Sequence, residues 1–169
     1  MKQTRMMNTP PRKHSHMTTT DALQQLWEEG RTRFSNLLDK IRPEDLLKKL
    51  HPQSNSLGFL IRHVADVELL FAKNVFKAES IQVHAKTVIA QRDTGEWTNL
   101  AELRMYAHDA FEQLKSVIAN QSDNDWQESI TTKEFGIKTK AGALGRITTH
   151  TAYHAGQIGL ILKYGGLSA

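Results

Sequence analysis

Apolar residues recur at spacings of three and four in four stretches of this chain, with aperiodic polar segments between them. In the first stretch Leu23, Leu26/Trp27, Gly30, Phe34, Leu37/Leu38 and Ile41 fall on one side of a helix. Pro43 closes that helix, because the residue before a proline is pushed out of the helical region. Pro43 can then open a short helical turn that points Leu46, Leu47 and Leu50 inward. His51-Pro52 ends it, and Ser54, Asn55 or Ser56 can cap a second helix running to about Phe76, with Phe59, Leu60, His63, Val67, Leu70 and Phe71 on one side. Residues 77–98 have no clean period and contain Asp93-Thr94-Gly95, which predicts a long connection that can carry some helix. Asn99 with Glu102 makes a capping-box pattern, and Leu100, Leu103, Ala107, Ala110, Leu114 and Val117/Ile118 follow as a third helix. Between Gln121 and Lys140 the chain turns polar, with an alternating Phe135-Gly136-Ile137 patch suited to a short extended excursion. The last helix is predicted from Ala141 to Tyr164, ending at Gly165-Gly166, where a glycine can take the left-handed conformation. Four helices of about 20 residues are the inventory of an all-α four-helix bundle. The long connections between helices two and three and between helices three and four allow a topology other than simple up-down-up-down.

Composition narrows the picture. At 169 residues the chain suits one domain, placed here at residues 20–169. Residues 1–19, with Pro10-Pro11 and no large apolar side chain except methionine, are expected to be a flexible basic tail. Met17, where the structured sequence begins, leaves a later natural start or an added leader open. The net charge of +4 comes from 22 basic against 18 acidic residues. Lys2, Arg5, Arg12 and Lys13 account for the whole excess, since taking these four away leaves 18 of each sign in the body. Four tail charges without interleaved aromatics are a poor nucleic-acid footprint, so that partner is not expected. No apolar run approaches the roughly 18–20 residues of a membrane span. With no secretory signal pattern at the N-terminus, the expected location is the cytoplasm. The lack of cysteine excludes disulfides, thiolate zinc sites and cysteine nucleophiles.

The eight histidines carry the chemistry. On a wheel of about 100° per residue, His150, Ile147, Ala143, Ile158 and Ile161 all fall within about 40° of His154. Two histidines one turn apart in the apolar stripe can offer two imidazoles to one metal. His63 likewise faces the core side of the second helix, near Phe59, Val67 and Leu70. A lone inward histidine is commonly a packed core residue, but three of them must satisfy buried ring nitrogens, each costing about 1–3 kcal/mol if left without a partner. A divalent metal removes that cost at one nitrogen of each ring, and neighbouring acceptors hold the other. His63, His150 and His154 are therefore the predicted metal ligands. Asp66 and Gln157, each three residues after a histidine, are the candidate supporting groups. Asp66 is also the candidate catalytic carboxylate, unless it only solvates the helix flank, and Gln157 is the candidate cofactor-binding residue. Tyr153 points about 100° away from His154 and suits an interface.

The run from Ser54 through His63 to Glu68, followed by Thr149-His150-Thr-Ala-Tyr-His154-Ala-Gly-Gln157-Ile, resembles the DinB/YfiT-like four-helix bundle proteins. Only these two motifs are specific, although helix order agrees over about residues 20–165. The resemblance implies an antiparallel bundle with a left-handed crossover, a three-histidine site for zinc, nickel or iron on His63, His150 and His154, and a homodimer. It also implies a small-molecule substrate and, as in some relatives, S-transferase or isomerase chemistry on a low-molecular-weight thiol such as glutathione, mycothiol or bacillithiol. Related hydrolase chemistry belongs to the same expectation. The alternative is a non-catalytic bundle stabilised by metal, or a metal-responsive dimeric binding module.

Overall fold

The computed structural model describes residues 16–167. The segment expected to be a flexible tail lies outside them up to residue 15. Helix α1 (Thr19–Leu38) starts earlier than its apolar stripe suggests, inside the segment assigned to the tail. The reason is a capping box: Thr18 Oγ1 accepts from the Asp21 amide, and the Asp21 carboxylate accepts from the Thr18 amide. Asp123 takes the next two free amides, those of Thr19 and Thr20.

After a 3-10 turn at Pro43–Asp45 come β1 (Lys48–Lys49), α2 (Leu57–Asn74), the short α3 (Lys86–Ala90) and α4 (Leu100–Ala119). A second 3-10 turn at Asp125–Gln127 leads into the hairpin β2 (Ser129–Thr132) and β3 (Gly136–Thr139), then α5 (Lys140–Tyr164) and β4 (Gly166–Leu167). The extended excursion expected around Phe135 is this hairpin, paired from Ser129 opposite Thr139 to Thr132 opposite Gly136. β4 returns to pair antiparallel with β1. The four long helices make the predicted four-helix bundle, in the ring order α1, α5, α2, α4. Helices that follow each other directly by the shorter links thus sit across the bundle, and α2 meets both α4 and α5.

Trp27 and Phe34 of α1, Leu57, Ile61 and Leu69 of α2, Leu114 and Ile118 of α4, and Ile147 and Ile158 of α5 fill the core. α2 is buried on nearly every side, which its one-sided pattern did not convey. Leu46 is buried as expected, but Leu47 and Leu50 are exposed, because the chain leaves the 3-10 turn as strand β1 instead of continuing a helical face. Leu26 is also exposed, one position off the Trp27 stripe, while Arg31 lies in that stripe and is buried. Asn99 caps α4 as predicted, although Glu102 accepts from its side-chain amide and does not bond back to its backbone.

Two glycines are set by space. A Cβ on Gly58 would run into the carbonyl of Trp97, so glycine lets the long connection lie on the start of α2. The end of α5 corrects an expectation: Gly165 has φ −72°, in the extended region and not the left-handed one. A side chain there would strike the Ile161 carbonyl and crowd that of Lys49, so glycine is needed to seat β4 against β1. No described helix is long and apolar enough to cross a membrane.

Candidate metal centre

α2 and α5 lie side by side, and this contact brings His63 together with His150 and His154. His150 Nε2 stands 3.3 Å from His63 Nε2 and 3.2 Å from His154 Nε2. Phe59, one turn before His63, stacks on its ring with centroids 5.7 Å apart. The predicted trio is therefore one cluster, half-buried and drawn from two helices.

What lies behind each ring fixes its tautomer. The Thr87 hydroxyl donates to Asp66 Oδ2 at 2.7 Å, so it accepts from His63 Nδ1–H at 3.2 Å. His154 Nδ1–H donates to Gln157 Oε1 at 2.6 Å, and the Gln157 amide donates to the Tyr153 hydroxyl. With both Nδ1 atoms protonated, His63 and His154 point Nε2 lone pairs toward His150 Nε2. One proton on His150 can satisfy one of those lone pairs, not both, and then His150 Nδ1, buried with no partner among the described residues, is left as an empty acceptor. The chemistry of this donor set is what a cation resolves. Two nitrogens on one tetrahedral zinc at about 2.0–2.1 Å stand about 3.3–3.4 Å apart, and the observed separations fit that edge. His63, His150 and His154 could hold one divalent ion.

Burial also keeps the rings uncharged. Desolvation, with the charge His154 would carry beside it, lowers His63 to about 4. Desolvation and then the two neighbouring histidines lower His150 to about 3, and desolvation lowers His154. At neutral pH all three are neutral imidazoles, the form that binds metal.

Asp66, the candidate catalytic carboxylate, is fully buried behind His63. Its Oδ1 accepts from Arg62 Nε (2.9 Å) and the Tyr106 hydroxyl (2.8 Å), and its Oδ2 from the amide and hydroxyl of Thr87. Burial and the Asp66 charge push the Tyr106 phenol well above its usual range, so it stays a donor. With every acceptor direction filled, Asp66 holds the Thr87–His63 chain in position and neither solvates the helix flank nor opens to a substrate. Gln157 acts directly on His154 in the way expected of a supporting group. A cavity of about 280 Å3 reaches the cluster at His150, walled by Val67, Phe71, Glu134, Arg146 and Tyr153. A larger one of about 610 Å3 adjoins it, sharing Phe71 and Glu134.

The model of the DinB superfamily matches residues 26–158. The chain belongs to this superfamily. Among solved structures this DinB-superfamily chain is similar to YfiT from Bacillus subtilis, described as a probable metal-dependent hydrolase with an unusual four-helix bundle topology. The identity is 14%, the TM-score 0.65, and 92% of each chain is covered. At that identity the likeness speaks for the fold. No curated protein matches the sequence.

Within the DinB bundle, two of the residues that sequence reasoning missed come from its connections. Thr87 sits on α3, in the segment read as having no period, and nothing local marks it. Glu134 lies in the hairpin turn. Arg146 carried a usable signal, since it stands one turn before His150 on the same helix.

Proposed function

We propose that this DinB-superfamily protein is a divalent-metal-dependent enzyme that hydrolyses a small molecule at His63, His150 and His154. The observation that carries this reading is the convergence of three Nε2 atoms, two of them fixed as lone-pair donors by Thr87 and Gln157. When bound, a divalent ion among three neutral imidazoles keeps its positive charge and open positions, so it acidifies a coordinated water or thiol and polarises a carbonyl. The chain's own residues orient and shield. Thr87 and Asp66 hold the His63 ring, Gln157 holds His154, and Val67 and Phe71 give the adjoining cavity an apolar wall that strengthens electrostatic contacts inside it.

A metal that only fastens the bundle calls for a closed shell of four protein ligands. Here the described residues supply three, and a cavity opens beside His150. That favours catalysis over the structural alternative. The hydrolytic direction is supported by the description of YfiT. A second reading takes a low-molecular-weight thiol as the nucleophile; the chain has no cysteine, so this thiol would enter as a cosubstrate. A homodimer is proposed on α5, where Tyr153, Leu160 and Tyr164 leave an exposed apolar stripe, and sedimentation of the Leu160→Glu variant against wild type tests it.

Metal analysis of protein purified without a nickel column should find about one ion per chain. Ion-free protein that neither takes up nor is stabilised by zinc, nickel or iron refutes the reading. Loaded protein is then assayed against esters and amides, and against thiols paired with chlorinated or epoxide electrophiles. Turnover of the first group alone selects hydrolysis, and of the second, thiol transfer.

A further inference from the structure

Beside the histidines stands a carboxylate that neither the metal ligands nor their supports use. We propose that Glu134 is the catalytic proton acceptor of the centre and that Arg146 positions it. This rests on the metal-dependent reading above.

The hairpin turn between β2 and β3 carries Glu134 to the cavity and is fastened there twice. Phe135 packs on Phe71 of α2 with ring centroids 5.9 Å apart. Arg146 of α5 stands over the Phe135 ring at 5.4 Å and bonds Glu134 through both Nε (3.0 Å) and Nη2 (2.8 Å). Both of those bonds end on Oε1. Oε2 has no partner among the described residues, so one oxygen is anchored and the other is available to a guest. Among the described residues, Glu134 is the single carboxylate lining the cavity that reaches His150. Asp66 is saturated, and Glu68 is buried and paired with Arg31. Glu134 does not lie close enough to join the three histidines as a ligand.

In hydrolysis the entering water gives a proton to Oε2 as its oxygen bonds to the electrophilic carbon. The bond from that carbon to the leaving group then breaks, and the leaving group takes the proton from Oε2. The carboxylate is restored, and no oxidant or reductant takes part.

The test uses the full chain loaded with zinc and acetohydroxamic acid as probe, a metal ligand that gives up its hydroxyl proton as it binds. Zinc content is measured by elemental analysis and probe affinity by calorimetry, for wild type, Glu134→Gln and Glu134→Asp. We expect equal zinc content in all three. Glu134→Gln should bind the probe about tenfold or more weakly, the size of one lost charge-assisted hydrogen bond. Glu134→Asp should recover part of the loss. Arg146→Met should weaken the probe while leaving zinc content unchanged. Unchanged probe affinity in Glu134→Gln overturns the proposal. Loss of zinc from that variant overturns it too, because Glu134 would then be a ligand, and so does loaded wild type that does not bind the probe. A wild-type chain that takes up no zinc refutes the metal-dependent reading itself, a result distinguishable from all of these.

Discussion

Helix α2 carries a buried and a half-buried polar group little more than a turn apart, and they are in opposite states. Glu68 meets Arg31 in a two-pronged ion pair at 3.0 and 3.3 Å, and two further guanidinium protons go to Ser35 and the Ala107 carbonyl. Phe34 and Phe111 flank the guanidinium. The histidine cluster around His63 is incomplete, with lone pairs turned on one another and His150 Nδ1 orphaned. Both are polar clusters set among the apolar side chains of α2, one buried and one half-buried. A closed network tells of structure, whereas three imidazoles whose nitrogens leave one another unsatisfied could hold a divalent ion.

The comparison can be broken most forcefully at its closed end. Arg31→Met leaves the Glu68 carboxylate buried without its partner, and breaking such a pair costs about 3–5 kcal/mol. Burial already pushes Glu68 upward in spite of Arg31, so the variant should take up a proton on folding. Urea denaturation checks this; a loss under about 1 kcal/mol would mean the network is not closed in the sense argued. At the open end the expectation is reversed. His150→Ala should change the stability of ion-free protein little, since it removes a conflict as well as a side chain. Zinc at a hundred times its Kd should stabilise wild type by about 2.7 kcal/mol and the variant not at all. Thermal unfolding with and without zinc decides it.

A smaller effect separates the ligands from their supports. Thr87→Val cuts the chain from His63 to Asp66 and should weaken zinc binding by about 10- to 100-fold while leaving one ion per chain at saturation. Competition with a zinc chelator measures this, and unaltered affinity would remove Thr87 from the site. A further effect is on pH. His63 and His150 titrate well below the ordinary value of 6.5 in the folded state. As pH falls below 6.5 the unfolded chain takes up these protons first, so ion-free protein loses stability from about 6.5 down to about 3, and keeps this contribution in full above that window. Urea curves at about pH 7.5 and about pH 5 should differ in wild type and draw together in a His63→Gln, His150→Gln double variant.

Much of this was legible in the sequence, for identifiable reasons. Helix periods report which residues share a face, so the four helices, the heptad face of α4 and the inward aim of His63, His150 and His154 follow from spacing alone. Gln157 was readable because it sits one turn from His154 on the same helix. Arg31 was not read as core, because a charged residue in an apolar stripe looks like an interruption until its partner on another helix is known. Asp66 was visible as a residue, but its role was not, since Thr87, Tyr106 and Arg62 had to close around it first.

By itself, then, the sequence determined the helices, their buried faces and the three histidines, all of which are set by residues within a turn or two of each other. Tertiary structure decided how those histidines meet, that Thr87 reaches across from α3 to fix one ring, and that a hairpin places Glu134 beside another. These contacts join residues 12 to 87 positions apart, and Thr87 and Glu134 come from aperiodic segments. No local pattern encodes a position that is fixed only when the bundle closes around it.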